Sequence, residues 1–265
     1  MENAATAEER RHAFAETIRE AWYRLLLGQL RWRNTMLPAI STAGNFALLF
    51  ESRIVRQLFD RALAGAGGPP DWVRAIDGMS GQKYRTFISE LVKSLPDARY
   101  LEVGSFVGST AAAALAGNDV TAVCIDNWSQ FGGPKEAFLA NMERVRSSSP
   151  GVDFRFIEDD FRRTDFNSIG RFNIYLFDGP HQEQDQYDGI IMATPALDRR
   201  VILIVDDWNW AASRLGTFRA IRAAGYSITC SVEIRTTLDN LHAANYGKAS
   251  DWHNGYFFAV LTKRH

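Results

Sequence analysis

The chain has 265 residues, 46% of them hydrophobic and 23% charged, enough apolar material for a sizeable core and too much for a disordered or fibrous protein. Thirty Lys and Arg against thirty-one Asp and Glu leave a formal charge of -1. There is no overall basic field to hold phosphates, so a nucleic-acid partner is not expected. Cys124 and Cys230 lie inside apolar runs and supply neither a disulfide framework nor a four-thiolate zinc site. The opening Glu2, Glu8 and Glu9 do not read as a basic leader, and no run approaches the roughly 18 apolar residues of a membrane span. A cytoplasmic location with no membrane partner is the expectation.

In chain order, Phe14, Ile18, Ala21, Trp22, Leu25 and Leu26 recur at three- and four-residue intervals among charges, which predicts an amphipathic helix within 7–33. A second helical stretch, 44–64, carries Phe46, Leu49, Phe50, Ile54, Leu58 and Ala62 and runs into Gly65-Ala66-Gly67-Gly68-Pro69-Pro70. That breaker run marks an expected boundary between a helical extension, 1–70, and a main domain, 71–265. The extension has three open roles: a lid over a pocket, a homo-oligomer seam, or plain packing. Beyond it, short β-rich runs alternate with helical segments, the pattern of a parallel sheet wrapped by helices. Strands are predicted at 100–104, 120–126, 154–158, 172–178, 201–206, 226–234 and 256–262. No strongly periodic helix separates the last two, so the final strand is expected to return antiparallel beside the sixth.

The most informative motif is Tyr100-Leu101-Glu102-Val103-Gly104-Ser105-Phe106-Val107-Gly108-Ser109-Thr110, a strand entering a Gly-containing turn and then a helix. Ligands of open α/β sheets bind beyond the carboxyl ends of strands, and Asp126 closes the next strand where an acidic group can meet a ribose diol. The spacing departs from the dinucleotide pattern, because Phe106 and Ser109 stand at its second and third glycines. The second glycine lets backbone approach a pyrophosphate, which a phenylalanine hinders. A ribosylated cofactor without phosphate, S-adenosylmethionine, is therefore favoured over a nicotinamide dinucleotide. The bland alternative is that the glycines merely permit a tight turn.

On these residues, together with Asp178-Gly179-Pro180-His181, the region 76–263 resembles the class I S-adenosylmethionine-dependent methyltransferases, especially their bacterial small-molecule O-methyltransferase branch. The resemblance implies a Rossmann-like α/β fold: a seven-stranded methyltransferase sheet with an antiparallel last strand. It implies that Glu102, Gly104, Ser105, Phe106, Gly108 and Ser109 surround the methionine part of the cofactor. Asp126 would hold the ribose, Asn127 and Trp128 would border the adenine, and Asp160, with Asp159 as an alternative register, would face the adenine amino group. Asp77-Gly78-Met79-Ser80-Gly81 corresponds to a segment that folds over the cofactor, unless Ser80 simply caps a helix.

Asp178 ends the fourth predicted strand, and Asp206 and Asp207 end the fifth. Neighbouring strands lie about 4.8 Å apart, so these carboxylates emerge together, which is costly unless they are protonated, hydrated or bound to a metal. Their oxygens suit a hard divalent ion such as Mg2+, and the resemblance places metal ligands at the same three positions. The competing reading is that Asp207 or Asn209 caps the helix near Ala211 and that Asp206 bonds within the sheet. Methyl transfer requires an acceptor oxygen behind the methyl group and a group to take its proton. His181 is the first candidate base, with Asp178 beside it, although Pro180 replaces an aspartate of the sugar-modifying enzymes. A helix-capping or cofactor-contacting role for His181 stays open.

Trp208 and Trp210 are either an aromatic wall for a small hydroxylated acceptor or core residues. The long polar connection 236–254, holding His242, Trp252 and His253, reads as a functional loop whose histidines lack metal-ligand spacing. The functional expectation is O-methylation of a small-molecule hydroxyl. The alternatives are a nicotinamide-dependent oxidoreductase and a non-catalytic, cofactor-binding regulatory protein.

Overall fold

A computed structural model describes residues 37–264. The helix predicted within 7–33, and with it the proposed seam or lid, lies outside the described residues. All seven predicted strands are present: β2 (Arg99–Val103), β3 (Val120–Ile125), β4 (Val152–Ile157), β5 (Phe172–Phe177), β6 (Leu197–Val205), β7 (Tyr226–Arg235) and β8 (Tyr256–Lys263). An eighth strand, β1 (Ala39–Gly44), was not foreseen. The helices are α1 (Phe50–Leu63), α2 (Asp71–Arg74), α3 (Gln82–Ser94), α4 (Ser109–Leu115), α5 (Lys135–Ser148), α6 (Glu183–Ala193) and α7 (Ala211–Ala223).

These strands form one sheet in the order β1-β7-β8-β6-β5-β2-β3-β4. β4, β3, β2, β5 and β6 pair in parallel, and β8 inserts antiparallel between β6 and β7. Apart from β1, this is the Rossmann-like sheet of the class I methyltransferases, with the expected antiparallel last strand. The parallel strands are apolar on both sides because both sides are covered. Tyr100, Ile174 and Ile202 point into a core under α1, α3 and α4, whereas Leu101, Tyr175 and Leu203 point into a second core closed by α6 and α7. Cys124 and Cys230 are buried free thiols, as expected.

The boundary expected at residue 70 does not appear. The compact unit that contains the sheet begins at Pro38. The stretch read as helix from residue 44 is instead strand and turn up to Leu49, with helix from Phe50. Ile54, Val55, Leu58, Phe59 and Ala62 of α1 belong to the first core. The Gly-rich run is therefore a turn between α1 and α2, tied down where Glu90 accepts the Gly68 N–H at 3.1 Å. Among the described residues no helix is long and apolar enough to cross a membrane.

Helices fall on both sides of the sheet, and the order of strand addition reverses between β2 and β5. The tips of these two adjacent strands open the crevice in which such sheets bind ligands. Phe177 pairs with Val205 and Val103 with Phe177, so the residues that follow β2, β5 and β6 emerge side by side.

Because Gly44 (φ +87°) ends β1 against β7, an added Cβ would stand 2.2 Å from the Thr229 carbonyl oxygen and 2.7 Å from Cys230 Cα. Gly44→Ala is expected to destabilise the protein by about 2–4 kcal/mol, read as a lower urea midpoint at unchanged slope.

Candidate active site

The crevice is a cleft of about 370 Å³, within the range of small-molecule sites. One end is the turn after β2. Gly104 adopts φ +88°, and a Cβ there would lie 1.9 Å from the Asp178 carbonyl oxygen, so only glycine lets the tips of β2 and β5 approach this closely. Phe106 is left-handed too, at φ 51°, a conformation that glycine adopts far more readily than phenylalanine. Its ring packs edge-on against Phe131, with 5.6 Å between centroids.

Asp126 organises this turn. Its Oδ2 accepts the N–H groups of Ser105 and Phe106, each at 2.8 Å, and its Oδ1 accepts the Trp128 N–H at 2.7 Å. The Trp128 indole N–H in turn donates to the Phe106 carbonyl at 2.9 Å. Two of the turn's backbone donors that an external anion would use are thus occupied by the protein's own carboxylate. Each carboxylate oxygen accepts two bonds, so Asp126 keeps capacity for a hydroxyl partner.

Of the predicted cofactor residues, Gly104, Phe106, Asp126, Asn127, Trp128 and Asp160 line the cleft, together with Asp159. Asp160 is held by the Arg162 N–H at 2.9 Å and Asp159 by the Arg163 guanidinium at 2.6 Å. Glu102, Ser105, Gly108 and Ser109 stand behind this lining. Glu102 is fully buried and accepts the Tyr100 hydroxyl through Oε2, while Oε1 has no aligned partner. Burial pushes its carboxyl up to about 7, against the opposing help of the Tyr100 and Ser105 hydroxyls. Ser109 meets Ser80 at 2.9 Å between hydroxyls, and Arg85 donates to Ser80 Oγ at 2.9 Å. Ser80 therefore does not cap α3, whose N-cap is Gly81; it pins down the 77–81 segment, from which Met79 reaches the cleft.

At the other end lie the acidic strand tips. The Asp178 N–H donates to the Val103 carbonyl and the Asp206 N–H to the Phe177 carbonyl, so sheet bonds bring both residues forward. Burial pushes both carboxyls well above the usual range, and their neighbouring charges push further. Each is therefore driven toward its uncharged form beside the other. Asp206 Oδ1 accepts the Asp207 N–H at 2.6 Å.

Asp207 turns elsewhere. Its Oδ1 accepts the Asn254 side-chain N–H at 2.6 Å, and its Oδ2 lies 3.1 Å from His181 Nδ1. That imidazole nitrogen is buried and not well aligned on any protein acceptor. Asp178, Asp206 and Asp207 do not form a compact oxygen cluster. Among the described residues, the His, Cys, Asp or Glu side chains whose ligand atoms all fall within 4.8 Å of one another are Asp207, His242 and His253. The acidic trio expected to bind Mg2+ is therefore divided, with Asp207 directed at histidines instead of gathered with Asp178 and Asp206, which does not fit a hard ion held by all three. The capping readings fail as well. Trp210 is the N-cap of α7, the Ala211 N–H is taken by Asn240, and α6 is capped by Gln182 and Asp185 rather than His181.

The 236–254 loop completes the cleft. His242 and His253 line it with His181 and Trp210. The Trp210 ring lies 4.9 Å from His181 and 6.0 Å from His242, whereas Trp208 is core, stacked on Phe257 at 4.3 Å. Asn209 and Asn254 hold the loop to β6. Asn209 donates to Asn254 Oδ1 at 2.8 Å and accepts the Thr236 N–H at 2.8 Å, while Asn254 Oδ1 also accepts the Ala243 N–H at 3.0 Å. Sequence reasoning missed Asn254, read Asn209 only as a possible helix cap, and set the loop histidines aside. The available signal was positional, since the loop follows a strand that ends on the cofactor side.

No protein-family model and no curated protein matches the chain. Solved structures similar to it include the O-methyltransferase from Bacillus cereus in complex with SAH, 14% identical over 82% of this chain and 94% of that one, TM-score 0.46. Another is the O-methyltransferase TomG from Streptomyces achromogenes in complex with SAM, 14% identical over 82% and 92%, TM-score 0.48. A third is TrmN from Thermus thermophilus, 17% identical over 68% of this chain, TM-score 0.45; the chain spans 48% of its length. The fold assignment rests on the strand order of the sheet itself.

Two predictions concern the carboxylates of Asp126 and Glu102. Asp126→Asn, which removes charge-assisted acceptors from three backbone N–H groups, should cost about 1.5–3 kcal/mol in chemical unfolding. Glu102 binds its proton more tightly when folded, so its contribution to stability falls as pH rises from about 4.5, its unfolded value, through about 7. Glu102→Gln should lack this loss, so the stability difference between variant and parent should move by roughly 2–4 kcal/mol in the variant's favour across that window.

Proposed function

We propose that this chain is an S-adenosylmethionine-dependent methyltransferase that acts on a hydroxyl of a small molecule. The observation that carries the reading is Asp126. By accepting the N–H groups of Ser105 and Phe106, it fills with a fixed negative charge the place where a dinucleotide fold would receive a pyrophosphate. A nicotinamide dinucleotide would meet that carboxylate and the Phe106 ring. A phosphate-free adenosine donor meets a carboxylate with spare acceptor capacity for its ribose, and Trp128, Asn127 and Asp160 along the same wall.

S-adenosylmethionine, when bound, supplies a methyl group activated by a sulfonium. The chain's own residues must orient the acceptor and receive its proton. His181 lines the cleft beside Asp178, its imidazole backed by Asp207 Oδ2 at 3.1 Å and walled by Trp210. Placed so, it is the group to take a hydroxyl proton as the oxygen attacks in line. Trp210 provides an apolar face against which a ring or sugar can be oriented. Continuity of the cleft from the Gly104 turn to His181 favours an enzyme over a cofactor-binding regulator, which would need no room beyond the donor site.

Calorimetric titration should show uptake of S-adenosylmethionine and S-adenosylhomocysteine and none of NADH; the reverse pattern would overturn the assignment. Once an acceptor is found by S-adenosylhomocysteine release, His181→Gln should lower kcat by about 10²-fold or more while S-adenosylmethionine affinity stays within a few-fold. Unchanged turnover would remove His181 from the chemistry.

A further inference from the structure

Five histidines occur in the chain, and all three within the described residues, His181, His242 and His253, gather around Asp207 at the floor of the cleft. We propose that Asp207, His242 and His253 form a binding site for a borderline divalent transition metal of the Zn2+ or Co2+ class, distinct from a hard-ion site on the three strand-tip aspartates. The donor set is two imidazoles and one carboxylate. Such a set suits borderline metals better than Mg2+, and three protein ligands leave a coordination position open toward the cleft.

Each ligand has its supports. His242 Nδ1 lies 2.9 Å from the Ala243 carbonyl oxygen; as the donor there it frees the Nε2 lone pair, the arrangement that metal-bound histidines commonly show. Asp207 is oriented through Oδ1 by Asn254, which leaves Oδ2 toward the histidines. His253 is buried beside them. The Gly247 N–H donates to His253 Nδ1 at 3.0 Å, so this ring binds an ion only by giving up that bond or the proton on its other nitrogen. Its contribution should be the weaker of the two. Three ligands about 2.0–2.2 Å from one ion stand about 3–4 Å apart. The ligand atoms, all within 4.8 Å of one another, need only a short closure, which the exposed ring of His242 on its loop can supply.

The test uses the whole chain, stripped with chelator, with no methyl donor or acceptor present, so that it fails or succeeds independently of methyl transfer. Co2+ is titrated and followed by its visible absorption, Zn2+ by competition, and Mg2+ serves as the contrast ion. One Co2+ per chain with a ligand-field spectrum is expected, and excess Mg2+ should not displace it. His242→Ala should weaken binding at least tenfold. His253→Gln should have a smaller effect, and Asp178→Asn should leave binding within threefold. Because His242 is exposed, its replacement is not expected to perturb folding, and circular dichroism checks that. Absence of Co2+ or Zn2+ binding would overturn the proposal. So would binding that survives His242→Ala, or a site lost in Asp178→Asn but kept in His242→Ala.

Discussion

The cleft depends on one carboxylate that holds three backbone amides. Asp126 sits at the end of β3, one strand away from the turn it organises, and its bonds to Ser105, Phe106 and Trp128 lock two adjacent loops into one wall. Charge-assisted bonds of this kind are roughly twice as strong as neutral ones. They allow Phe106 to occupy a left-handed conformation that costs a side-chain-bearing residue about 1–2 kcal/mol. The same bonds set the chemistry of the pocket, because the turn offers a carboxylate where a phosphate-binding fold offers free N–H groups.

A second carboxylate cluster works by the opposite principle. Burial and mutual proximity raise the carboxyls of Asp178 and Asp206 together, which disfavours the charged form of each. Asp207, one residue further, leaves that pair through a left-handed backbone (φ 56°) and faces Asn254 and His181 instead. The three acids of the expected cluster thus divide into a pair and a separate aspartate, with a left-handed residue at the division.

Strand positions were legible because the parallel strands are buried on both sides and read as apolar runs ended by Gly104, Asp126, Asp178 and Asp206. The antiparallel β8 was legible from the missing helix after β7. β1 was not, since Ala39–Gly44 is short, half exposed and without alternation, and it pairs with β7 nearly two hundred residues away. Asp126 was expected to hold a cofactor ribose, but its service to the turn was invisible, because it depends on which way backbone amides point. His242 and His253, eleven positions apart on an irregular loop, carry no local spacing signal. Bonds from Asn254 to Asn209 and Asp207, formed across forty-five and forty-seven residues, bring them to the tip of β6.

Seven described residues other than glycine have positive φ, and five of them, Phe106, Trp128, Phe131, Asp207 and His253, line the cleft. Each such conformation costs about 1–3 kcal/mol, so their concentration in one place represents a large share of a typical folding free energy. Four of the five are restrained by a specific bond on their own amide: Phe106 and Trp128 by Asp126, Asp207 by the Asp206 carboxylate, and His253 by Ser250 Oγ at 2.9 Å. Strain that is individually secured in this way fixes side-chain directions before any ligand arrives. A reaction that needs an acceptor oxygen, a methyl group and a base in line gains from walls that do not have to be ordered in each turnover, and the stability spent here is what holds them in place.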